Sequence, residues 1–407
     1  MSLINHIQVQ TPSSCCGCSA CKQRCPKQCI SMQRDSEGFL YPNVSEQECI
    51  DCGLCLKVCP NLNRFDETEP FKVLAAQSKS DALLKVSSSG GMFTEIATKV
   101  IEADGVVFGA RFDADWQVVM DYIETIEGLS VFRGSKYVQC KPRNSYKDAE
   151  HFLKEGRYVL YTGSSCQIAG LKRFLRKEYD NLLCMDYLCH GAPSPRVWEK
   201  YLKEVANTAD KAVGGKSTVS LSLNTMLTIE DVKFRDKSNG WKKFRFVLHL
   251  AEASADGKES SVLSSVFAEN IYMKGFLSDM TLRPSCYQCF ARNGHSGADI
   301  TIGDHWAITD ICPEFDAEEK GTSLVLVNTE KGELMMKSLD VRTIETDYEK
   351  SKQWNGAFYP TTEEHLHRKR FFRKLQYRDD VSRLIEEELG ITIWDKIMKR
   401  VNKIVRK

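Results

Sequence analysis

A repeated spacing of cysteines dictates the chemistry of the first part of this chain. Four cysteines with gaps of two, two and three residues, followed by a proline, begin at Cys15 and again at Cys49. Three cysteines at two-residue gaps hold three corners of an iron–sulfur cube, and the fourth, before the proline, ligates the other cube. The spacing therefore predicts two 4Fe–4S clusters with crossed ligands: Cys15, Cys18, Cys21 and Cys59 for cluster I, and Cys49, Cys52, Cys55 and Cys25 for cluster II.

Structural zinc is the alternative for these cysteines. Zinc sites usually take two pairs of ligands separated by a longer gap, so four cysteines packed into eleven residues, twice, favour iron. Residues 1–64 accordingly resemble a bacterial two-cluster ferredoxin. Cys16 and Cys29 fall outside the ligand spacing, and we expect them to be small buried apolar groups.

The composition excludes several classes of protein. The 407 residues include 17 cysteines, and an odd number cannot be fully paired in a disulfide-bonded monomer. The net charge of +1 creates no overall positive field that would attract nucleic acid. The 42% share of hydrophobic residues excludes a disordered chain. The first fourteen residues lack the apolar core of a signal peptide, and no run approaches the roughly 20 apolar residues of a membrane span. We therefore expect a cytoplasmic protein, in which clustered thiols bind metal or act in catalysis.

After a polar linker at 60–70, the pattern changes to alternating strands and helices. Strands are predicted over 71–78, 105–112, 157–163, 181–188, 299–303 and 323–328, and helices over 90–105, 166–178 and 195–206. This succession indicates an α/β domain over 71–345, with a small antiparallel insertion at 217–250. The predicted fold class is thus mixed, α+β and α/β: a ferredoxin domain over 1–64, the α/β domain over 71–345, and a basic helical C-terminal region over 346–407.

The C-terminal segment 391–407 carries six basic residues and one acid, and its apolar residues share one helical face. Two interpretations are open. One is a helix that contacts a membrane surface or a partner protein. The other is a docked helix with a solvated basic face, since such apolar stripes usually pack in a core.

Two loops, each between a predicted strand and a predicted helix, carry residues suited to ligand binding. In Ser87–Gly91, the serines cap the helix and the exposed amides suit a phosphate, although a plain serine cap explains the same residues. In the second loop, Cys166 stands at a helix start, where the helix dipole favours a thiolate that serves as a nucleophile or an iron ligand. The sequence contains neither the glycine pattern of dinucleotide-binding folds nor the phosphate loop of P-loop ATPases.

A further pair, Cys286 and Cys289, has the two-residue gap of metal ligands and needs two more ligands from elsewhere. Cys166 and Cys189 both follow predicted strands, and the carboxyl ends of parallel strands meet at one edge of a sheet. We interpret Cys184, inside a strand, as structural, and Cys312, near a proline turn, likewise.

Six segments of the second domain match the motifs of a known family in the same order along the chain. They are SSSGGMFTEIA (87–97), RGSKYVQ (133–139), CQIAGLKRFL (166–175), LCHGAPSP (188–195), FRDKSNGW (234–241), and RPSCYQC with ADITIGDHW (283–306). Together they resemble the coenzyme F420 hydrogenase/dehydrogenase beta-subunit family over about residues 15–345. The resemblance implies an iron–sulfur flavoprotein that binds FAD and passes electrons between a carrier and a two-electron substrate. Bacterial members of that family often accompany surface-polysaccharide genes.

The resemblance also implies site residues. The cofactor would be held by two loops, which comprise Ser88, Ser89, Gly90 and Gly91, and Gly134, Ser135, Lys136 and Tyr137. A third 4Fe–4S cluster would be held by Cys166, Cys189, Cys286 and Cys289, which makes about twelve iron atoms in three cubes. This sequence departs from the family at GSSCQ (163–167), at Cys140 where the family usually has serine, and at GDHWA (303–307), where His305 replaces the usual phenylalanine.

Two residues are candidates for a direct chemical role. His305 is either a proton donor or a substituted packing residue. Lys136 would hold a cofactor phosphate, together with the amides of Ser89–Gly91.

Two hypotheses about function follow. Iron–sulfur clusters move one electron at a time, whereas reduction of an organic bond takes two electrons. A flavin can exchange electrons singly with the clusters and in pairs with the substrate. The first hypothesis is therefore an oxidoreductase, in which a redox partner protein exchanges electrons with the ferredoxin domain and FAD serves a soluble substrate or cofactor. The alternative is an electron-transfer subunit of a larger hydrogenase or dehydrogenase complex, without its own substrate pocket.

Overall fold

The computed structural model describes residues 11–212, 227–254, 257–358 and 362–392. The helix predicted over 391–407 lies outside the described residues, except for its first two positions. The strands are β1 (Ile30–Arg34), β2 (Leu40–Val44), β3 (Lys72–Ser78), β4 (Val106–Phe112), β5 (Val118–Ile123), β6 (Val159–Ser164), β7 (Leu182–Tyr187), β8 (Leu227–Asp236), β9 (Arg245–Ser254), β10 (Gly257–Val266), β11 (Ile300–Asp304), β12 (Ser323–Val327) and β13 (Val341–Glu345). The α-helices are α1 (Ala20–Arg24), α2 (Leu54–Lys57), α3 (Asp81–Val86), α4 (Met92–Glu102), α5 (Ser145–Lys154), α6 (Ser165–Leu175), α7 (Pro195–Ala212), α8 (Ile271–Leu277), α9 (Ile308–Ile311), α10 (Glu330–Lys337), α11 (Tyr348–Lys352), α12 (Arg368–Leu375) and α13 (Val381–Glu388).

Within the described residues, eight strands form one mixed sheet in the order β13-β3-β12-β11-β7-β6-β4-β5. The neighbours β11, β7, β6 and β4 are parallel, and the remaining pairs are antiparallel. Since β3 and β11 are both antiparallel to β12, five strands run in one direction and their carboxyl ends meet at one edge of the sheet. The six predicted strands are confirmed. The antiparallel edge strands β5 and β13 were not predicted.

Helices cover both faces of this sheet, because alternate residues of a strand point to opposite sides. On one side, Val107 of β4 and Leu160 of β6 pack against α4 through Ile96. On the other side, Phe108 and Tyr161 of the same strands pack against α5 and α6. The result is the layered α/β arrangement predicted from the alternation of strands and helices.

The backbone of the N-terminal region preserves the repeat seen in the cysteines. Gly17 and Asp51 occupy equivalent positions, 34 residues apart, and both have positive φ, as do Ser19 and Gly53 two residues further on. Ser19 and Gly53 directly precede the short helices α1 and α2. These left-handed residues turn the chain sharply between successive cysteines of each repeat. The β1–β2 hairpin lies between the two repeats.

The N-terminal region packs on the face of the sheet that α5 and α6 cover. Cys18 and Ala20 belong to the same buried cluster as the side chains of these two helices. The Gln23 side-chain oxygen accepts a hydrogen bond of 3.0 Å from the backbone amide of Tyr146. The linker lies on α6 as well, where the Arg173 guanidinium donates to the Asn63 carbonyl at 2.6 Å and stacks on the Phe65 ring at 3.7 Å. The linker is therefore a docked segment.

The antiparallel insertion predicted over 217–250 is a three-stranded sheet, β10-β9-β8, which begins at Leu227. It extends past the predicted end, since β9 runs to Ser254 and β10 covers Gly257–Val266; residues 213–226 lie outside the described part. Its inner face joins an aromatic core around Trp198 of α7, with Phe234 and Phe246 from the sheet. The C-terminal helices α12 and α13 pack against the same core. None of the described helices is long and apolar enough to cross a membrane.

One buried ion pair ties the C-terminal helices to the N-terminal region. Arg368, at the start of α12, donates to both carboxylate oxygens of Glu37 and to the carbonyl of Leu282. Its side chain is 5% exposed and that of Glu37 is 19% exposed.

We expect Arg368→Met to lower the free energy of unfolding by about 3 kcal/mol, because Glu37 would keep a largely buried charge without its cation. Urea unfolding followed by circular dichroism measures the difference. Lys369→Met, an exposed position of the same helix, is the matched control and should change stability by less than about 0.5 kcal/mol. Equal stability of the two variants would show that α12 is not anchored through this pair.

Candidate functional site

The structure brings together the four cysteines predicted for cluster I. Burial, followed by repulsion from the Cys15 and Cys59 thiolates, raises the pKa of Cys21. The pKa of the buried Cys18 is also raised. The neighbouring Cys16 lowers this pKa, but burial and the nearby Cys59 and Cys21 thiolates raise it. Cys59 thus lies with the three cysteines of the other repeat, which is the grouping that crossed ligation requires.

The four cysteines predicted for cluster II line one cavity. Cys25 contributes from the first repeat, and Cys49, Cys52 and Cys55 contribute from the second. Cys29 also lines this cavity, with its sulfur 3.4 Å from that of Cys25. Cys52 is exposed, so this cavity lies at the protein surface.

The third set of cysteines converges at the carboxyl edge of the large sheet. Ser164 ends β6 and caps α6 through a reciprocal capping box with Gln167, which places Cys166 in the first turn of the helix. Cys189 follows the end of β7, and Cys286 lies in the 3₁₀-helix Pro284–Gln288. Burial raises the pKa of Cys189, and the Cys286, Cys166 and Cys289 thiolates raise it further, so the four thiols are close neighbours.

Two of these sulfurs have hydrogen-bonding neighbours. The amide of Ala192 donates to the Cys286 sulfur at 3.3 Å, and the Ser164 hydroxyl lies 3.4 Å from the Cys166 sulfur. Hydrogen bonds to the sulfurs are one of the means by which a protein tunes an iron–sulfur cluster. The ligand assignment itself stays a prediction.

Zinc remains the alternative to iron. In the described part of the chain, no three cysteine, histidine, aspartate or glutamate side chains form a group that could hold a single metal ion. Tetrahedral zinc would need sulfurs about 3.8 Å apart, from Zn–S bonds of about 2.3 Å.

Cys184 is buried within β7, as predicted for a structural residue. Cys312 is partly exposed, and its sulfur donates to a Glu314 carboxylate oxygen at 2.9 Å. Cys140 packs at the edge of two hydrophobic clusters, where burial raises the pKa of its thiol to about 12. Among these three, Cys140 alone lies near the third set, since Gln167 of α6 donates to its carbonyl at 3.4 Å.

Cys16 has a position that the sequence analysis missed. Cys16 and Cys166 pack against the same small cluster. Cys16 is the neighbour that most raises the pKa of Cys166, and burial is the second cause. Cys16 also interacts with Cys18 of the cluster I set. It therefore lies between cluster I and the third set of cysteines, in addition to packing against Phe290 and Ala291. Its position next to Cys15 in the sequence is the only local signal.

The same two sets are joined through α6. A Cβ atom at Gly170 would lie 2.9 Å from the Cys18 Cβ and 2.8 Å from the Tyr146 hydroxyl, so glycine permits the approach of Cys18 to the helix. Cys166 lies on this helix one turn earlier, and cluster I is therefore the neighbour of the third set.

The two predicted cofactor loops contact each other. The amide and hydroxyl of Ser135 lie 2.9 and 3.1 Å from the Ser88 hydroxyl. Ser89 donates to the Thr322 carbonyl at 2.8 Å, which anchors its loop to the start of β12. Gly134, with φ of +81°, borders open space, and the side chain of Tyr137 stacks on Phe276 at 4.8 Å.

Two donors that the sequence analysis reserved for a phosphate are already occupied. The Gly90 amide donates to the Ser323 hydroxyl at 3.0 Å, and a Cβ at this glycine would lie 2.3 Å from the Ala76 carbonyl oxygen. Glycine is therefore required at this position by packing on β3 and β12. Gly91, with φ of +87°, caps α4 in the left-handed conformation. The Lys136 ammonium group donates to three backbone carbonyls of its own loop.

Arg235, in the FRDKSNGW segment, is a further residue of this site and was not predicted. Its guanidinium pairs with the Asp304 carboxylate at the end of β11, and its side chain is 4% exposed. Two guanidinium nitrogens, Nε and Nη2, have no hydrogen-bond partner among the described residues. The Tyr137 hydroxyl lies near the same group. The Lys237 ammonium group, two residues further on, donates to the Ser89 carbonyl at 3.1 Å.

His305 is fully buried. Its Nε2 atom lies 3.4 Å from the Thr346 hydroxyl and 3.3 Å from the Ser351 hydroxyl. Burial lowers its pKa to about 4, so the ring is neutral at pH 7. These contacts are those of a packing residue, and a role as proton donor stays a prediction.

The crossed grouping of cysteines leads to a direct test. We expect Cys59→Ser to remove the cluster held by Cys15, Cys18 and Cys21 and to leave the cluster of its own repeat, with a loss of roughly four irons per chain. Low-temperature electron paramagnetic resonance and iron analysis of anaerobically purified protein measure this.

Cys312→Ser is the matched control for loss of a thiol and should keep every cluster. Loss of the Cys49, Cys52 and Cys55 cluster in Cys59→Ser, with the other cluster intact, would contradict crossed ligation.

Comparisons with known proteins cover both parts of the chain. Residues 156–352 match the family described as the C terminus of the coenzyme F420 hydrogenase/dehydrogenase beta subunit, and residues 14–62 match the 4Fe–4S dicluster domain. No curated protein matches the chain. A chain of the F420-reducing NiFe hydrogenase complex from Methanosarcina barkeri, solved as a xenon derivative, aligns over 80% of this chain and 95% of its own length, at 17% identity and a TM-score of 0.44. Residues 156–352 thus belong to the family of the C terminus of the coenzyme F420 hydrogenase/dehydrogenase beta subunit, and residues 14–62 form an N-terminal 4Fe–4S dicluster domain.

Proposed function

We propose that this protein is an iron–sulfur flavoprotein oxidoreductase, in which electrons pass between the dicluster domain and FAD through a third 4Fe–4S cluster. The proposal rests on one observation, which is the position of Cys16. It packs against the buried cluster that contains Cys18, and it packs against Phe290 and Ala291 together with Cys166 and Cys289. Clusters that lie next to each other across two domains can pass electrons from one domain to the other.

The positions of the cysteines suggest the order of the clusters. Cys52 of cluster II is exposed, whereas Cys18 of cluster I is buried against α6. Cluster II is therefore the point at which a partner protein would exchange electrons, and cluster I would connect it to the third cluster. The family description as a beta subunit of hydrogenases and dehydrogenases supports a protein partner.

FAD, when bound, supplies a carrier that exchanges electrons singly with clusters and in pairs with an organic substrate. We propose that it lies at the carboxyl edge of the large sheet, against the two loops joined by Ser88 and Ser135. The two unpartnered nitrogens of Arg235 are the free donors there, and a buried donor without a partner is costly unless a ligand satisfies it. Ser89 and Lys136 would position the loops around the cofactor.

The charge of this edge suits an anionic cofactor. Burial lowers the pKa of Lys136 to about 8 and that of Lys237 to about 8. Both lysines are thus charged below this pH and lose their charge above it. The positive charge of these two lysines would attract a phosphate group, whereas the donors left to bind it belong to Arg235.

A second pocket lies beside the third set of cysteines. It is lined in part by Cys189, Asp186, Arg292 and Tyr348. Its lining offers charged, aromatic and thiol groups to a small polar molecule. We propose that this pocket binds a soluble substrate or cofactor and that the protein works in a reducing cytoplasm. Identifying the substrate would test whether the protein acts in surface-polysaccharide metabolism.

The flavin site is tested by Arg235→Lys. This change keeps a cation beside Asp304 but removes the planar fork of donors, and the loss of about 2 kcal/mol of charge-assisted hydrogen bonding predicts roughly thirtyfold weaker flavin binding. Fluorescence of flavin released from denatured protein, measured across a titration with FAD, gives the affinity. Lys233→Met, an exposed cation of the same strand, is the control and should bind FAD as the wild type does.

Flavin affinity should also fall as the pH rises through about 8, because Lys136 and Lys237 become neutral there. If the wild-type protein binds no flavin after anaerobic loading with FAD, the proposal of a flavoprotein is wrong and the electron-transfer subunit is favoured. If Arg235→Lys binds FAD with wild-type affinity, the flavin does not bind at Arg235.

A further inference from the structure

Arg283 is a buried cation between the two halves of the protein. Its side chain is 1% exposed, and it directly precedes the 3₁₀-helix that carries Cys286. The backbone is fixed there by hydrogen bonds, since the Arg283 amide donates to the Ala192 carbonyl and the Cys286 amide donates to the Arg283 carbonyl, each at 2.9 Å. The residue therefore belongs to the loop that holds two cysteines of the third set.

The guanidinium of Arg283 reaches into the dicluster domain. Its Nε donates to the Cys15 carbonyl at 2.8 Å, and its Nη2 donates to the Leu40 carbonyl at 2.9 Å. Its Nη1 donates to the Gln139 side-chain oxygen at 3.1 Å, and Gln139 in turn donates to the Cys16 carbonyl at 3.1 Å. The guanidinium also stacks on the Tyr41 ring at 4.2 Å.

The chain is shaped to admit this side chain. A Cβ atom at Gly17 would lie 2.9 Å from Nη1 of Arg283, and Gly17 has φ of +73°. The glycine between Cys15 and Cys18 thus serves two purposes, the turn between ligands and the approach of the guanidinium.

Arg283 has no carboxylate within 4.0 Å in the described part of the chain, unlike the two other buried arginines already described. Arg235 pairs with Asp304, and Arg368 pairs with Glu37. A buried cation is costly unless an anion compensates it. Burial lowers the pKa of Arg283, whereas the neighbouring Cys15, Tyr41, Cys16 and Cys286 raise it, and the net pKa lies above its ordinary value. Burial raises the pKa of Tyr41, so its hydroxyl keeps its proton at pH 7. The anionic groups around Arg283 are therefore cysteines of two different sets.

We infer that Arg283 is the counter-cation shared by cluster I and the third cluster, and that it holds the reduction potentials of both above the values they would have without it. The inference rests on the proposed function, since it takes both clusters as present. A 4Fe–4S cluster with four thiolate ligands is an anion that becomes more negative on reduction, so a fixed cation stabilises the reduced form. One side chain would thereby keep the two clusters matched for electron exchange.

The test is a redox titration of the anaerobically purified full-length protein, followed by low-temperature electron paramagnetic resonance, with iron analysis of each sample. In Arg283→Met, which keeps bulk and removes charge, we expect three clusters and more negative potentials for cluster I and the third cluster. Cluster II, identified by the signal lost in Cys55→Ser, should shift less. Unchanged potentials with all three clusters present would overturn the inference.

Two further variants separate charge from other effects. Arg283→Lys keeps the charge and should keep potentials close to those of the wild type; a shift as large as that of Arg283→Met would overturn the role of charge in favour of the hydrogen bonds. Arg196→Met is the matched control, because Arg196 also reaches the dicluster domain, at the Ser36 carbonyl, but is exposed there. Its removal should change no potential, since water screens its charge.

Gln139→Glu keeps the test decisive if Arg283→Met does not fold. This change places a carboxylate against Nη1 of Arg283 at nearly the same size, and it should lower both potentials by neutralising the cation. Unchanged potentials in this variant would again overturn the inference. A wild-type protein with two clusters instead of three would instead refute the third cluster of the proposed function.

Discussion

The packing of Cys18 on Gly170 determines how closely the two halves of this protein approach each other. No Cβ fits at Gly170, since it would collide with Cys18 and with the hydroxyl of Tyr146. The helix that carries Gly170 also begins with the turn that holds Cys166, which the capping box fixes at the end of β6. One rigid helix therefore relates Cys18, a predicted ligand of cluster I, to Cys166, a proposed ligand of the third cluster. The docked linker and the α1–α5 contacts hold the dicluster domain in this position.

The buried arginines of the protein differ in the groups that compensate their charge. The chain buries Arg368 and Arg235 beside carboxylates, where they tie elements together. It buries Arg283 beside cysteines and backbone carbonyls, where an anion is still required. Arg235 retains two free donors at the carboxyl edge of the sheet. Arg283 thus lies where the proposed clusters would supply negative charge, and Arg235 lies where the proposed flavin phosphate would supply it. The buried charges and the cysteine positions therefore both support electron transfer between the clusters and a flavin.

The parts of the fold that could be predicted are those encoded locally. Cysteine spacing is a property of the chain itself, and the apolar runs of β6 and β7 identify buried strands without reference to neighbours. The edge strands β5 and β13 were missed because edge strands need not be continuously apolar. Cys16 and Arg283 could not be assigned, since their roles depend on contacts between residues that are more than one hundred positions apart. Gly90 was assigned to a ligand approach, but the nearest atoms to a Cβ there belong to β3 and β12, which no local pattern reveals.

The central claim is that three iron–sulfur clusters lie in sequence across the contact between Cys18 and α6. Anomalous diffraction at the iron absorption edge, from crystals of anaerobically purified protein, tests it most directly. The account predicts three compact iron peaks: one among Cys15, Cys18, Cys21 and Cys59, one among Cys25, Cys49, Cys52 and Cys55, and one among Cys166, Cys189, Cys286 and Cys289. An anomalous signal at the zinc edge in place of the third peak, or no metal beside Cys189, would contradict it.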